Sequence, residues 1–162
     1  MQRQSLEKIV INVGVGKMRG NSAQFEDKTL PEILKQVTTI TGQKPAVRTA
    51  KKSIASFKLR EGEVVGIQVT LRGKRMQDFL TKLANVALPR VRDFHGLSLK
   101  QLDGQGNLSI GLKDCIVFPE IDPETVKANF GIQITLVGSF PNQKDKEAIL
   151  NFWKSIGIPF VK

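Results

Sequence analysis

The sequence contains no tyrosine, one tryptophan, one histidine and one cysteine. A lone cysteine, Cys115, cannot form a disulfide within the chain, which suits a reducing compartment. One cysteine and one histidine make no metal cluster, and His95 lies too far along the chain to suggest a thiol–imidazole pair. No apolar run approaches the ~18 residues of a membrane span. The N-terminal MQRQSLEKIVIN lacks the apolar stretch and small-residue cleavage site of a signal peptide. Acid is also scarce: 15 Asp and Glu stand against 25 Lys and Arg, giving a formal net charge of +10. That excess points to a polyanionic partner, nucleic acid first and an anionic membrane surface second.

What is present is patterned. The 162 residues, 40% of them hydrophobic, suffice for one domain with a real core. Leu6 to Val15 (LEKIVINVGV) holds a short β-branched run that predicts a strand, after which Gly14, Gly16 and Gly20 predict a loop. Leu30, Ile33, Leu34, Val37 and Ile40 recur at helical spacing, with Pro31 in the first turn and Gly42 at the end. Residues 45–49 predict a short extended segment. Residues 63–72 (EVVGIQVTLR) alternate, with Val65, Ile67, Val69 and Leu71 on one face. Met76, Phe79, Leu80, Leu83 and Val86 restore helical spacing. Residues 89–107 show no period and predict a long loop, of the kind that is functional or ordered by a partner. Strands follow at 108–113 and 131–137, a short helix after Asp122-Pro123-Glu124, and a last helix over 142–155 facing inward through Ile149, Phe152, Trp153 and Ile156. This order predicts an α+β fold: a largely antiparallel sheet of about five strands, helices packed on one face and the other face free.

The free face can be read by parity. It carries Asn12, Gln68, Thr70, Arg72, Ser109, Lys113, Gln133 and Thr135, a surface of donors and acceptors without aromatic residues. It therefore suits folded RNA, with its ribose hydroxyls and phosphates, better than single strands held by base stacking. Catalytic patterns fail. The GxGxxxG spacing of Gly14 to Gly20 is one residue too long for a dinucleotide fingerprint, and no Gly-Lys-Ser or Gly-Lys-Thr follows. Asp103-Gly-Gln-Gly-Asn107 lacks the further acids of a calcium loop and reads as a tight turn. Asp93 and His95 have no evident nucleophile. An RNA-processing enzyme would need converging carboxylates, and a membrane-surface protein a basic amphipathic helix; neither is apparent.

Several long stretches, in order, resemble the bacterial-type large-subunit ribosomal protein five: TGQKPAVRTAKKSIASFKLREGE (41–63), VTLRGKRMQDFL (69–80), ALPRVRDFHGL (87–97), DGQGNLSIG (103–111), IVFPEID (116–122) and IGIPF (156–160). The resemblance covers nearly the whole chain. It implies a structural, non-enzymatic component of the large ribosomal subunit, without cofactor or metal. It also implies binding to 5S rRNA and large-subunit rRNA, anchoring of 5S rRNA in the central protuberance, and contacts to peptidyl-site tRNA and a small-subunit head protein. The expected location is the cytoplasm, in the ribosome, with an organellar ribosome as the alternative. By motif the family's RNA-contacting positions fall on Asn12, Gln43, Thr70 and Arg72; parity adds Gln68, Ser109 and Lys113. The segment RTAKKSIASFKLR (48–60) has five cations and no acid. The resemblance makes it the tRNA-contacting loop, through Arg48, Lys51, Lys52, Ser53, Ser56, Lys58 and Arg60, with Ile54 and Phe57 bracing it or packing on sugars. The family usually begins with a further N-terminal helix, and this chain starts almost at the first strand; His95 stands where the family often has Arg. The expectation is one RNA-binding domain over residues 1–162 without that helix.

Overall fold

The computed structural model of the protein describes residues 4–21, 24–124, 126, 128–142 and 145–161. One five-stranded sheet organises them. It contains β1 (Ser5–Gly14), β2 (Ala46–Thr49), β3 (Val64–Leu71), β4 (Leu108–Leu112) and β5 (Ile132–Ser139), in the spatial order β2-β3-β1-β5-β4, with every pairing antiparallel. The helices are α1 (Gly16–Asn21), α2 (Leu30–Thr41), α3 (Gly73–Lys82) and α4 (Lys146–Ser155). This is the α+β architecture that the patterning predicts.

Period-two alternation decides which face is buried. Ile9, Ile11 and Val13 of β1, Ile67, Val69 and Leu71 of β3, Leu108, Ile110 and Leu112 of β4, and Ile132, Ile134 and Leu136 of β5 are all buried on one side. There they form a single cluster with Ile33, Val37 and Ile40 of α2, Met76, Phe79 and Leu80 of α3, and Ile149 and Trp153 of α4. Removing the side chain of any one of the central isoleucines would cost about 2–5 kcal/mol in lost transfer energy and cavity.

The departures from the sequence expectation have local causes. Residues 16–21 are a short helix rather than a loop. A single wide turn, Phe25–Thr29, leads into α2 and buries Phe25. Another, Leu83–Ala87, follows α3. Its extra residue advances the helical face by one position, so Ala87 and Leu88 are buried and Val86, expected inside, is exposed. In β3 a bulge opposite β2 (Arg48 faces Gly66, Thr49 faces Val64) turns Val64 inward and leaves Val65 half-buried. No helix follows Asp122 among the described residues. The Asp122 carboxylate accepts from the Glu124 N–H, which favours a turn, and the chain runs irregularly to the buried Phe130; Thr125 and Lys127 lie outside the described residues. The last helix starts at Lys146, with the Asp145 carboxylate accepting from the Ala148 N–H; positions 143 and 144, expected within it, lie outside the described residues.

The 89–107 loop is ordered by the chain itself. The Leu97 N–H donates to the Pro159 carbonyl at 2.9 Å and the Val161 N–H to the Leu97 carbonyl at 3.1 Å, so the C-terminal segment clamps it as a short parallel bridge. Its far end is a tight turn as expected: the Asp103 carboxylate accepts from the Gln105 and Asn107 N–H groups, each at 2.8 Å. Trp153 anchors the turn by donating from Nε1 to the Gly106 carbonyl at 2.9 Å. Lys82 ties α3 to the end of α2 through the Ile40 carbonyl, and to Glu120. Cys115 is fully buried, its thiol donating to Asn129 Oδ1. Burial pushes its pKa up, which keeps it protonated at neutral pH.

Gly96 is the point at which this clamp is most sensitive. Its φ is +114°, and a Cβ there would lie 2.8 Å from the Phe160 carbonyl carbon. Gly96→Ala should lower unfolding free energy by about 2 kcal/mol in urea titration, from left-handed strain and backbone overlap together. Gly111→Ala, where an added Cβ meets nothing, should stay within about 0.5 kcal/mol of the parent. Equal midpoints for the two variants would refute the clamp.

Candidate nucleic-acid interface

The uncovered face of the sheet is built from rows that the pairing register sets. One row runs Ala46, Gln68, Asn12, Gln133, Gly111, and the next runs Thr70, Val10, Thr135, Ser109. Each of these residues is half-buried or exposed. Apart from Ala46, Val10 and Gly111 they offer amides and hydroxyls. The Ser109 and Thr135 hydroxyls lie 3.3 Å apart as a cross-strand pair. Beside the first row is an open depression of about 450 Å³ with Gly14, Gly66 and Gly131 along it and Asn12, Arg48 and Gln133 around it. Without side chains at those glycines a ligand can come close to the backbone.

Gln43, which strand parity does not place, is brought to this face by a hydrogen bond. β2 begins at Ala46, opposite Gln68, so its pairing stops short of Thr70. The Gln43 side-chain amide donates to the Thr70 carbonyl instead, at 3.1 Å. Arg75 Nη1 donates in turn to Gln43 Oε1 at 3.5 Å.

The cations stand around the neutral rows. Arg72 follows β3 directly, with an extended backbone, and lies 3.7 Å from Glu7, the extra residue of a bulge in β1. With side chains 58% and 52% exposed, that pair contributes little and leaves Arg72 available. Lys113 is exposed just past β4. It shares a cleft of about 660 Å³ with Arg90 and Arg92, and also with Asp93 and Asp114. Sequence reasoning missed the two arginines as neighbours of Lys113, because they come from a loop without period.

Arg48, counted above both with the extended segment 45–49 and with the basic run, lies in β2, and its guanidinium donates two hydrogen bonds to Gln68 Oε1, at 2.9 and 2.6 Å. It therefore forms part of the sheet face. Lys51, Lys52, Ser53, Ser56, Lys58 and Arg60 all stay exposed between β2 and β3. Their loop has internal structure: Ile54 and Leu59 exchange backbone hydrogen bonds of 2.8 and 3.1 Å around a turn at Ala55–Phe57. The Ser53 hydroxyl accepts from the Glu61 N–H at 2.9 Å and keeps its own proton to donate. Phe57, expected to brace the loop or lie on sugars, does not brace it: it is 78% exposed.

Known proteins match the chain along nearly its whole length. Residues 1–60 match the family described as Ribosomal protein L5, and residues 64–160 match the C-terminus of the same ribosomal protein family. Over 162 residues the chain is 49% identical to the large ribosomal subunit protein uL5 of Fusobacterium nucleatum, covering all of this chain and 84% of that protein. It is 49% identical over 160 residues to uL5 of Chloroflexus aggregans, covering 99% and 84%. Against uL5 of Lacticaseibacillus casei it is 48% identical over 162 residues, covering 100% and 86%.

The two family segments meet between residues 60 and 64, at the root of the basic loop, where Glu63 sits. Its carboxylate accepts from the Arg60 N–H at 2.5 Å and pairs with the Arg19 guanidinium of α1. The Arg60 hydrogen bond, with Arg19 adding to it, holds the Glu63 pKa below the usual carboxylate value. A carboxylate depressed in the folded state stabilises above its free-chain pKa, and the contribution fades as pH falls through the lowered folded value. At neutral pH, Glu63→Gln should therefore reproduce the acid state of the parent, with reduced hydrogen-exchange protection at Arg60 and Gly62 and none lost in β1. Parental protection at Arg60 in the variant would show that Glu63 does not hold the loop.

Proposed function

The chain belongs to the uL5 family of large-ribosomal-subunit proteins, structural components of the ribosome rather than enzymes, and from that premise we propose that it binds 5S rRNA through the uncovered sheet face and anchors it in the central protuberance. The observation that carries this proposal is the outer face itself, whose rows of amides and hydroxyls stay half-buried or exposed among the described residues and are edged by Arg48, Arg72 and Lys113. Asn12, Gln43, Gln68, Thr70 and Ser109 present neutral groups that exchange water for ribose and phosphate oxygens at less desolvation cost than charges would. The cations around them neutralise phosphates and release counterions. A duplex or folded RNA with a shallow minor groove meets such a surface; a single strand finds no aromatic platform on it.

The basic loop supplies a second contact. Lys51, Lys52, Lys58 and Arg60, with Ser53 and Ser56 as hydroxyl donors, meet the phosphates of peptidyl-site tRNA. The remaining partners are large-subunit rRNA and a protein of the small-subunit head, and the site of action is the ribosome in the cytoplasm. The whole 1–162 segment acts as one RNA-binding unit.

Asn12→Ala, Thr70→Val and Arg72→Gln, combined, should weaken binding of folded 5S rRNA by at least about tenfold, since a single specific contact is worth about 1–3 kcal/mol. Unfolded competitor oligonucleotides should not displace the RNA. Lys51→Ala should leave that affinity nearly unchanged, and lower the salt slope of tRNA binding by about one. Filter binding, with footprinting of the protein on purified 5S rRNA, measures both. Undiminished 5S rRNA affinity in the triple variant would overturn the sheet-face proposal.

A further inference from the structure

Phe57 is the most exposed large apolar side chain among the described residues, whereas every other described phenylalanine, and the tryptophan, is buried or half-buried. Backbone hydrogen bonds shape the turn on which it stands. The Ile54–Leu59 bridge closes the turn that carries it, and Lys58 follows with a left-handed φ of 50°. A cleft of about 590 Å³ lies between this turn and α1, with Gly16, Lys17, Gly20, Phe57, Lys58 and Val65 in its walls. The ion pair between Arg19 and Glu63 joins those walls, and so does the Val15 N–H, donating to the Val65 carbonyl at 3.1 Å. Lys17 and Lys58 are exposed and have no ion pair among the described residues.

An aromatic ring held in water beside unpaired cations has the components of a nucleotide contact: a π-face for the base and ammonium groups for the phosphate. We infer that this cleft takes one unpaired nucleotide of a folded RNA, its base stacked on Phe57 and its phosphate between Lys17 and Lys58. The inference rests on the proposed RNA contact of the 48–60 loop and adds a base contact to what would otherwise be charge neutralisation alone. It also brings in Lys17, whose glycine-rich segment matches no known phosphate motif.

The test uses the full chain and deacylated tRNA at low salt. The native Trp153 is fully buried, so emission from the Phe57→Trp variant rises above a steady background. That emission should be quenched at saturating RNA, while the parent's stays constant. Phe57→Ala and Phe57→Leu should both bind about 5- to 100-fold more weakly, the leucine failing because bulk without a π-face does not stack. Gly20→Leu, where an added Cβ meets nothing in the folded chain, should obstruct the cleft and weaken binding without loss of thermal stability. If Lys51→Ala weakens binding but Phe57→Ala binds like the parent and the Phe57→Trp emission is not quenched, the loop contact stands and the nucleotide cleft is wrong. If all these variants bind like the parent, the loop contact and the cleft fall together.

Discussion

The structure depends on one constraint: the backbone pairing of β1 with β3 on one side and β5 on the other. In a pleated strand a slip of one residue would exchange the faces. Ile9, Ile11 and Val13 would then lie in water, and Val10 and Asn12 under the helices. The register Ile9–Leu71, Ile11–Val69, Ile11–Ile134 keeps every apolar inward residue opposite another. The cost of exposing that set is what aligns Asn12 between Gln68 and Gln133. The core and the outer face are therefore not separate inventions. The hydrophobic effect, acting on one parity, positions the hydrogen-bonding groups of the other parity to within the precision of a β-ladder.

Where that ladder is interrupted, the chain gains something specific. The bulge in β3 opposite Arg48 and Thr49 is where the sheet hands over to the basic loop. It turns Val65 into the wall of the cleft beside α1. The bulge in β1 frees Glu7 to approach Arg72. The early end of β2 at Ala46 leaves the Thr70 carbonyl for Gln43. Bulges concentrate at edges and functional surfaces because they redirect side chains without breaking the core. Here each redirects a polar or apolar group at the margin of the same face.

Legibility in the sequence followed the same division. Strands whose two parities differ in polarity, such as IVINV and GIQVTL, reveal both their existence and their facing, so Asn12, Gln68, Thr70 and Ser109 could be placed on the outer face without coordinates. Val64 and Val86 could not be placed. A bulge and a wide helical turn each insert one residue, and periodicity carries no mark of an insertion before the structure is seen. Gln43 was assigned by motif, and only its long-range hydrogen bond explains its presence beside Thr70. The extended segment expected over 45–49 is β2, but a strand of four residues, exposed throughout, has no alternation to show that the Arg48 side chain turns to Gln68. The Leu97–Phe160 bridge joins two segments without periodicity and leaves no local signal.

The distribution of charge completes the physical picture. A net charge of +10 spread over the binding face would have to be desolvated on contact, and like charges in adjacent rows would repel across strands. Instead the rows are neutral and the cations are at their margins and in the loop, where they remain partly hydrated and would draw a polyanion toward the face if it binds RNA as proposed. Long-range attraction and short-range fit thus reside in different residues. The aromatic distribution follows the same logic. A ring on the sheet would favour stacked single-stranded bases over a groove, and the face has none. Phe57, the one exposed phenylalanine among the described residues, stands off the sheet among the loop's lysines, where stacking would favour an unpaired base at the surface that otherwise discriminates least.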